Sequence, residues 1–238
     1  MSIIKSFFST RFKRSIKDRL GVPSLHWSLQ NLKKAGLTPN FAIDGGAYIG
    51  EWTAEYKEVF PDSKVLMIEA QSSKEAILKS VCENFLNVNY HMALLAAKDN
   101  QELSFVENET ISYTSLNPSI QTNEKKLSMT LNSIIEMNNY PYPDFIKLDV
   151  QGYEIEVLKG ASKCLENSEI CMLEVSIFDW GDRFVPLIPE TLNFMNEHNF
   201  MAYDISHISR RPYDHALNQI DMFFVKKNSK LIALKNWS

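Results

Sequence analysis

Charged side chains stand at the ends of apolar runs in this chain, where β-strands would deliver them to the rim of a sheet. Asp44 closes Phe41-Ala42-Ile43, Glu69 closes Val65-Leu66-Met67-Ile68, and Glu174 follows Ile170-Cys171-Met172-Leu173. Lys147 and Asp149 are two apart in the run 145–150, so a strand there turns both to one face. A carboxylate so placed can draw a proton from a hydroxyl, directly or through a divalent ion, and a neighbouring ammonium can lower its pKa or orient the substrate. Asp149 with Lys147 is therefore read as the catalytic pair. Glu174 is read as part of the same polar network, because burying a carboxylate unpaired is costly. A Lys147–Asp149 salt bridge that merely seals the sheet is the competing reading. With Glu154, at the start of the following helix, Asp149 and Glu174 make three acids that also invite magnesium, a hard ion that favours oxygen ligands; no spacing here matches a fixed metal loop, so no metal ligand is assigned. His207 and His215 flank Arg210-Arg211-Pro212-Tyr213-Asp214 and are alternative bases near neutral pH, while the arginines could grip phosphate or carboxylate.

Gly45, Gly46 and Gly50 follow Asp44 before a helical pattern begins. Such a turn lets the backbone be approached closely, and the helix start behind it offers free N–H groups. A dinucleotide site wants Gly-x-Gly-x-x-Gly. Here Ala47 stands where Gly45 would need its partner, and Asp44 would set a like charge beside a pyrophosphate. There is no Gly-x-x-x-x-Gly-Lys-Ser/Thr loop for a nucleoside triphosphate either. An acid ending strand one suits a ligand with a cationic amino acid portion. A second acid about 25 residues on, ending strand two, suits ribose hydroxyls. Together they fit S-adenosylmethionine better than NAD. Ala93-Leu94, ending a third run, is expected beside the adenine. For Asp44, a role as a mere helix-capping acid is the alternative; Trp52 reads equally as core or as pocket wall.

The ordered set Asp44-x-Gly46-Ala47-x-x-Gly50-x-Trp52-Thr53, Ile68-Glu69-Ala70, and Phe145-Ile-Lys147-Leu-Asp149-Val-Gln-Gly152-Tyr-Glu154-Ile-Glu-Val-Leu-Lys-Gly160-Ala resembles the FkbM family of S-adenosylmethionine-dependent methyltransferases. The resemblance implies O-methylation, often of sugar hydroxyls on glycans or secondary metabolites. Cofactor contacts are accordingly assigned to Asp44, Gly45, Gly46, Ala47, Tyr48, Gly50, Trp52, Thr53, Glu69, Ala70, Ala93 and Leu94. One departure is Leu131-Asn132, where the family usually has Leu-Asp, which puts a charge-dependent role there in doubt. A scaffold that binds the cofactor without catalysis, and a methyltransferase acting on nucleic acid, are the rival functions.

The elements that must position these residues read as an α/β alternation. Helices are expected over 24–35, from the glycine turn to Phe60, from Glu75 to Phe85, over 131–137, from Glu154 to either Gly160 or about Asn167, and from Pro189 to His198. Strands are expected at 41–43, 65–68, 88–94, 145–150, 170–175, 200–205 and 219–225, with a polar loop over 207–218. This is the Rossmann-like, seven-stranded class I methyltransferase sheet, mostly parallel with one antiparallel edge strand and helices on both faces. The stretches 107–125, 176–188 and 207–218 are expected to be loops walling the acceptor site, 107–126 being either a substrate loop or a surface excursion.

The chain has 238 residues, 45% of them hydrophobic, 23% charged, and a net charge of −4. That suits one globular domain, divided as a basic arm and helix over 1–36 and a methyltransferase domain over 37–238. The arm holds six cations, Lys5, Arg11, Lys13, Arg14, Lys17 and Arg19, among apolar residues. It reads as a solvated or packed helix, or as a peripheral contact with the inner membrane surface. Elsewhere basic clustering is confined to Arg210-Arg211, and no Asn/Asp-Pro-Pro-Tyr tetrapeptide occurs, so no nucleic-acid partner is expected. Cys82, Cys164 and Cys171 are too few and too irregularly spaced for a disulfide framework, which makes a reducing, cytoplasmic setting the default.

Overall fold

The computed structural model describes residues 20–107, 112–114, 125–181 and 185–233. The basic arm, and most of the polar stretch expected to wall the acceptor site, lie outside them.

Continuous apolar runs, buried on both faces, build the centre of the main sheet. Its strands are β1 (Phe41–Gly45), β2 (Lys64–Glu69), β3 (Val88–Met92), β8 (Phe145–Leu148), β9 (Ile170–Ser176), β10 (Phe200–Arg210) and β11 (Leu217–Lys226). They stand in the order β10-β11-β9-β8-β1-β2-β3. Every pairing is parallel except those of β11, which runs against both β9 and β10. The fold is the expected class I methyltransferase sheet, with the reversed strand one place in from the edge. Strand parity divides the core into two layers. Ile43, Ile68, Ile146, Leu148 and Leu173 pack under helices α4 (Leu131–Met137), α5 (Glu154–Lys159), α6 (Ser162–Asn167) and α7 (Ile188–Glu197). Ala42, Met67, Phe145, Met172 and Phe223 pack under α1 (Leu25–Lys34), α2 (Glu51–Val59) and α3 (Glu75–Asn84).

That second layer is anchored by aromatic rings. Trp52 stacks on Tyr56 at 4.8 Å between centroids, and Phe145 meets Tyr56 edge-on at 5.4 Å and Phe223 at 6.1 Å. Fully burying a ring such as Phe145 contributes about 2–3 kcal/mol. Leu29 and Leu32 of α1 are completely buried in this layer. Ser28 donates a 2.7 Å hydrogen bond to Asp204 of β10, which ties α1 to the sheet.

Two local readings change. Residues 88–94 do not form one strand: β3 stops at Met92, and Leu94–Leu95 (β4) joins a small sheet with β5 (Glu102–Val106), β6 (Tyr113–Thr114) and β7 (Lys125–Met129), in the order β4-β7-β5-β6. The expected loop over 207–218 is instead largely a hairpin, β10 reaching Arg210 and β11 starting at Leu217. An edge strand turned to solvent carries polar residues, and His207, Ser209 and Arg210 hide that strand from a search for apolar runs. Among the described residues, no helix is long and apolar enough to cross a membrane.

Candidate active site

Strand parity and register bring the charged residues together. Asp44 pairs with Lys147 across β1 and β8; Glu174 of β9 stands opposite Asp221 of β11, and Asp221 opposite His207 of β10. Leu148 pairs with Leu173, so Asp149, one residue past β8, continues the same transverse row toward Glu174. The result is a line of acids along the carboxyl rim of the sheet, on the side covered by α1 and α2.

Asp44 is fully buried. Its Oδ1 is 2.9 Å from Lys147 Nζ and its Oδ2 accepts a 2.7 Å hydrogen bond from Thr53 Oγ1. Lys147 also donates to the Gly46 carbonyl at 2.9 Å and lies 3.9 Å from Asp149 Oδ2. Burial alone would lower the lysine's pKa, but Asp44 and then Asp149 lift it above its usual value. Lys147 is thus primarily the partner of Asp44, and Asp149, with 40% of its side chain exposed, is the member of the trio that faces outward. Gln151 donates from its single amide nitrogen to Asp149 Oδ1 at 2.8 Å and to Glu174 Oε2 at 3.0 Å, bridging two like charges. Burial, then the charges of Asp149, Glu154 and Asp221, hold the Glu174 carboxyl well above the usual carboxylate range. Asp221 is pushed up to about 6 by burial and by Asp149, against the opposing pull of His207 and Lys147. Glu154 is buried at the start of α5, accepts from the N–H groups of Val150 and Gly152, and is pushed up to about 7, chiefly by burial.

The glycine turn makes the approach to this row possible. Gly46 has φ of 71°, and a Cβ built on it would lie 1.9 Å from the Asp149 carbonyl oxygen. Only a glycine lets the β1 turn close against the β8 turn. The second strand-end acid lies on the other side of the turn: Glu69 accepts from the N–H groups of Tyr48 at 2.7 Å and of Ala70 and Gln71 at 2.8 Å each.

Two clefts meet here. The first is lined by Gly46, Tyr48, Glu69, Ala70, Ala93 and Leu94, with Ile68, Leu95 and Phe105 as apolar walls. The second, of about 660 Å³, is lined by Gly46, Ala47, Tyr48, Trp52, Lys147, Asp149, Glu174, His207 and Asp221, among others. Gly46, Tyr48 and Asp149 border both. Asp44, Gly45, Gly50 and Thr53 line neither; they shape the turn from behind. His215 is exposed at the hairpin tip and also lines neither cleft. Trp52 is both things its pattern allowed, a core ring and a cleft wall, its Nε1 pointing at Met172 Sδ 3.2 Å away. Gln151 and Asp221 are additions that the strand-end signal does not select, Gln151 because it sits in a turn at φ 57° and Asp221 because it lies inside its strand. Asn132 fills its place without a charge: it donates to Ser162 Oγ and accepts from the Cys164 N–H. Among the described residues, no three His, Cys, Asp or Glu side chains converge as a metal site would require.

The donor set fits S-adenosylmethionine. The first cleft offers an apolar slot for a flat base with a carboxylate beside it, and Glu69 keeps about one of its roughly four acceptor positions open for a hydroxyl. The sheet, the glycine turn and the two clefts define a class I S-adenosylmethionine-dependent methyltransferase. The model of the Methyltransferase FkbM domain matches residues 44–201, and the chain belongs to that family. Among solved structures, magnesium protoporphyrin IX methyltransferase from Synechocystis PCC 6803, with bound S-adenosylhomocysteine, is similar at 8% identity and a TM-score of 0.50, over 94% of this chain and 91% of that one. The methyltransferase FkbM from Methylobacillus flagellatus KT is similar at 17% identity and a TM-score of 0.47, over 77% of this chain but only 43% of that one. Comparison with curated proteins finds no match. A third structure, the Methanococcus jannaschii fibrillarin pre-rRNA processing protein, matches at 13% identity and a TM-score of 0.48, over 81% of this chain and 68% of that one. It corrects one expectation: with a pre-rRNA processing protein among the similar structures, the exclusion of a nucleic-acid partner from charge distribution is withdrawn.

Proposed function

We propose that this methyltransferase acts on oxygen, transferring the methyl group to a hydroxyl of a sugar, glycan or small metabolite. One observation carries the reading: Asp149 is the carboxylate that borders both clefts, half-exposed where the cofactor cleft opens into the larger one. S-adenosylmethionine supplies an electrophilic methyl group. The chain's own task is to align the acceptor oxygen with it and to receive the hydroxyl proton as the oxygen–carbon bond forms. Asp149 takes that proton; Gln151 fixes the carboxylate through Oδ1, and the Lys147 ammonium near Oδ2 balances its charge. Glu174 and Asp221, which line the same cleft, offer carboxyl oxygens to the acceptor's remaining hydroxyls.

Transfer of labelled methyl to a panel of glycans and polyols tests the reading. Asp149→Asn keeps the volume and removes the charge, so turnover should fall by about 10²–10⁴-fold while S-adenosylhomocysteine affinity, measured by calorimetry, stays near that of wild type. Wild-type turnover in Asp149→Asn removes Asp149 from the role, and label appearing on nitrogen or carbon instead of oxygen overturns the reaction class.

A further inference from the structure

Gln71 follows Glu69 by two residues, at the entry to the 3-10 turn Ser72–Lys74, and lines the cofactor cleft. Its side chain is 5% exposed, and its amide oxygen is buried without a hydrogen-bond partner. Leaving such an acceptor unsatisfied is costly, and a buried group of this kind in a folded chain calls for a donor from elsewhere.

Counting acceptors on Glu69 identifies that donor. Its Oε1 already accepts from the N–H groups of Ala70 and Gln71, and its Oε2 accepts from that of Tyr48. A carboxylate has about four acceptor positions, so about one remains, on Oε2. The cis-diol of a ribose brings two hydroxyl donors. Ala70, Ala93, Leu94 and Leu95 of the same cleft carry no side-chain acceptor, and among the described residues that line it Gln71 is the one whose acceptor oxygen is buried without a partner.

We infer that Gln71 is a second ribose-recognition residue, its amide oxygen accepting the hydrogen bond of the hydroxyl that Glu69 leaves unserved. The last torsion of a glutamine side chain is soft, so the oxygen can swing onto the hydroxyl without moving the turn. Gln71 is a positioning and specificity residue toward the cofactor, and the inference stands whatever the acceptor of the methyl group.

The test is calorimetric binding of S-adenosylhomocysteine and its 2′-deoxy and 3′-deoxy analogues to the full chain. In wild type, each hydroxyl has its own acceptor, so each analogue should bind about five- to tenfold more weakly than the parent. Gln71→Leu should weaken the parent by a similar factor and abolish the penalty for one analogue only, leaving the penalty assigned to Glu69 intact. Gln71→Met, closer in shape, provides the same measurement where leucine disturbs folding, with thermal melting as the check. Wild-type affinity for the parent in either folded variant, full retention of both deoxy penalties, or equal binding of all three ligands by wild type overturns the inference. Because only binding is read, failure here is distinct from failure of the O-methylation reading.

Discussion

Lys147→Met removes the cation beside a carboxylate that has no access to water. Lys147 is 5% exposed and Asp44 0%, with 2.9 Å between Nζ and Oδ1. At an effective dielectric constant of about 20, a pair at that distance attracts by roughly 6 kcal/mol, much of which offsets the desolvation of both ions. Deleting one partner typically destabilises by about 3–5 kcal/mol because the other charge is left buried. Asp44 retains the Thr53 hydroxyl, while the Gly46 carbonyl loses its lysine donor. Lys147→Met should therefore cost about 3–5 kcal/mol, a large part of a total stability of about 5–15 kcal/mol. Lys147→Met combined with Asp44→Asn removes both charges and should recover most of that loss. Urea unfolding of wild type, both single variants and the double variant gives the coupling directly. Because the lysine's pKa is raised in the fold, the pair's contribution is complete below the unfolded value and is lost only as pH rises through the folded one, so it is fully present at neutral pH. Single-variant losses below about 1 kcal/mol, or losses that simply add in the double variant, would refute the view that this pair ties β1 to β8.

Glu154, pushed up to about 7 by burial, binds its proton more readily folded than unfolded, so it favours the fold below the unfolded pKa and that contribution is lost as pH rises through the folded one. Glu154→Gln keeps an acceptor for Val150 and Gly152 and should stabilise the fold by about 2–3 kcal/mol at pH 8 but little at pH 4, read from melting temperatures; equal effects at both pH values contradict it. Gly46→Ala forces a Cβ to within 1.9 Å of the Asp149 carbonyl oxygen at a positive φ; a loss of more than about 3 kcal/mol is expected, and wild-type-like melting sinks the close-approach argument.

What the sequence discloses follows from which features are local. The strands bearing Asp44, Glu69 and Glu174 are apolar runs that end in an acid, and the Gly45-Gly46 turn is visible because no other residue serves there; each can be read within a few residues. The bridging position of Gln151 depends on a turn at positive φ that brings its amide between two strands, and no short window contains both. Lys147 was legible as a neighbour of Asp149, since parity alone puts them on one face. Its tighter bond to Asp44 requires knowing that β8 lies beside β1, a fact of strand order and not of composition.

The same distinction explains why Asp221 escapes a search for strand-end acids. In the parallel strands, the closing residues or the first one beyond reach the carboxyl rim, as Glu69 and Asp149 do. β11 runs the other way, so its early residues lie at that rim, and Asp221, between the buried Ile220 and Met222, arrives opposite Glu174. The reversal adds a carboxylate to a rim that already holds Asp149 and Glu174. Electrostatically this is unfavourable, and the displaced Asp221 and Glu174 carboxyls register it. The fold meets that cost with Gln151 between Asp149 and Glu174 and with His207 across from Asp221 at 3.9 Å. Under the O-methylation proposed above, acids crowded at this cleft would serve to handle the hydroxyl proton: the outermost, Asp149, stays exposed to the acceptor, while burial and like charge make Glu174 and Asp221 hold their protons more readily than ordinary carboxylates.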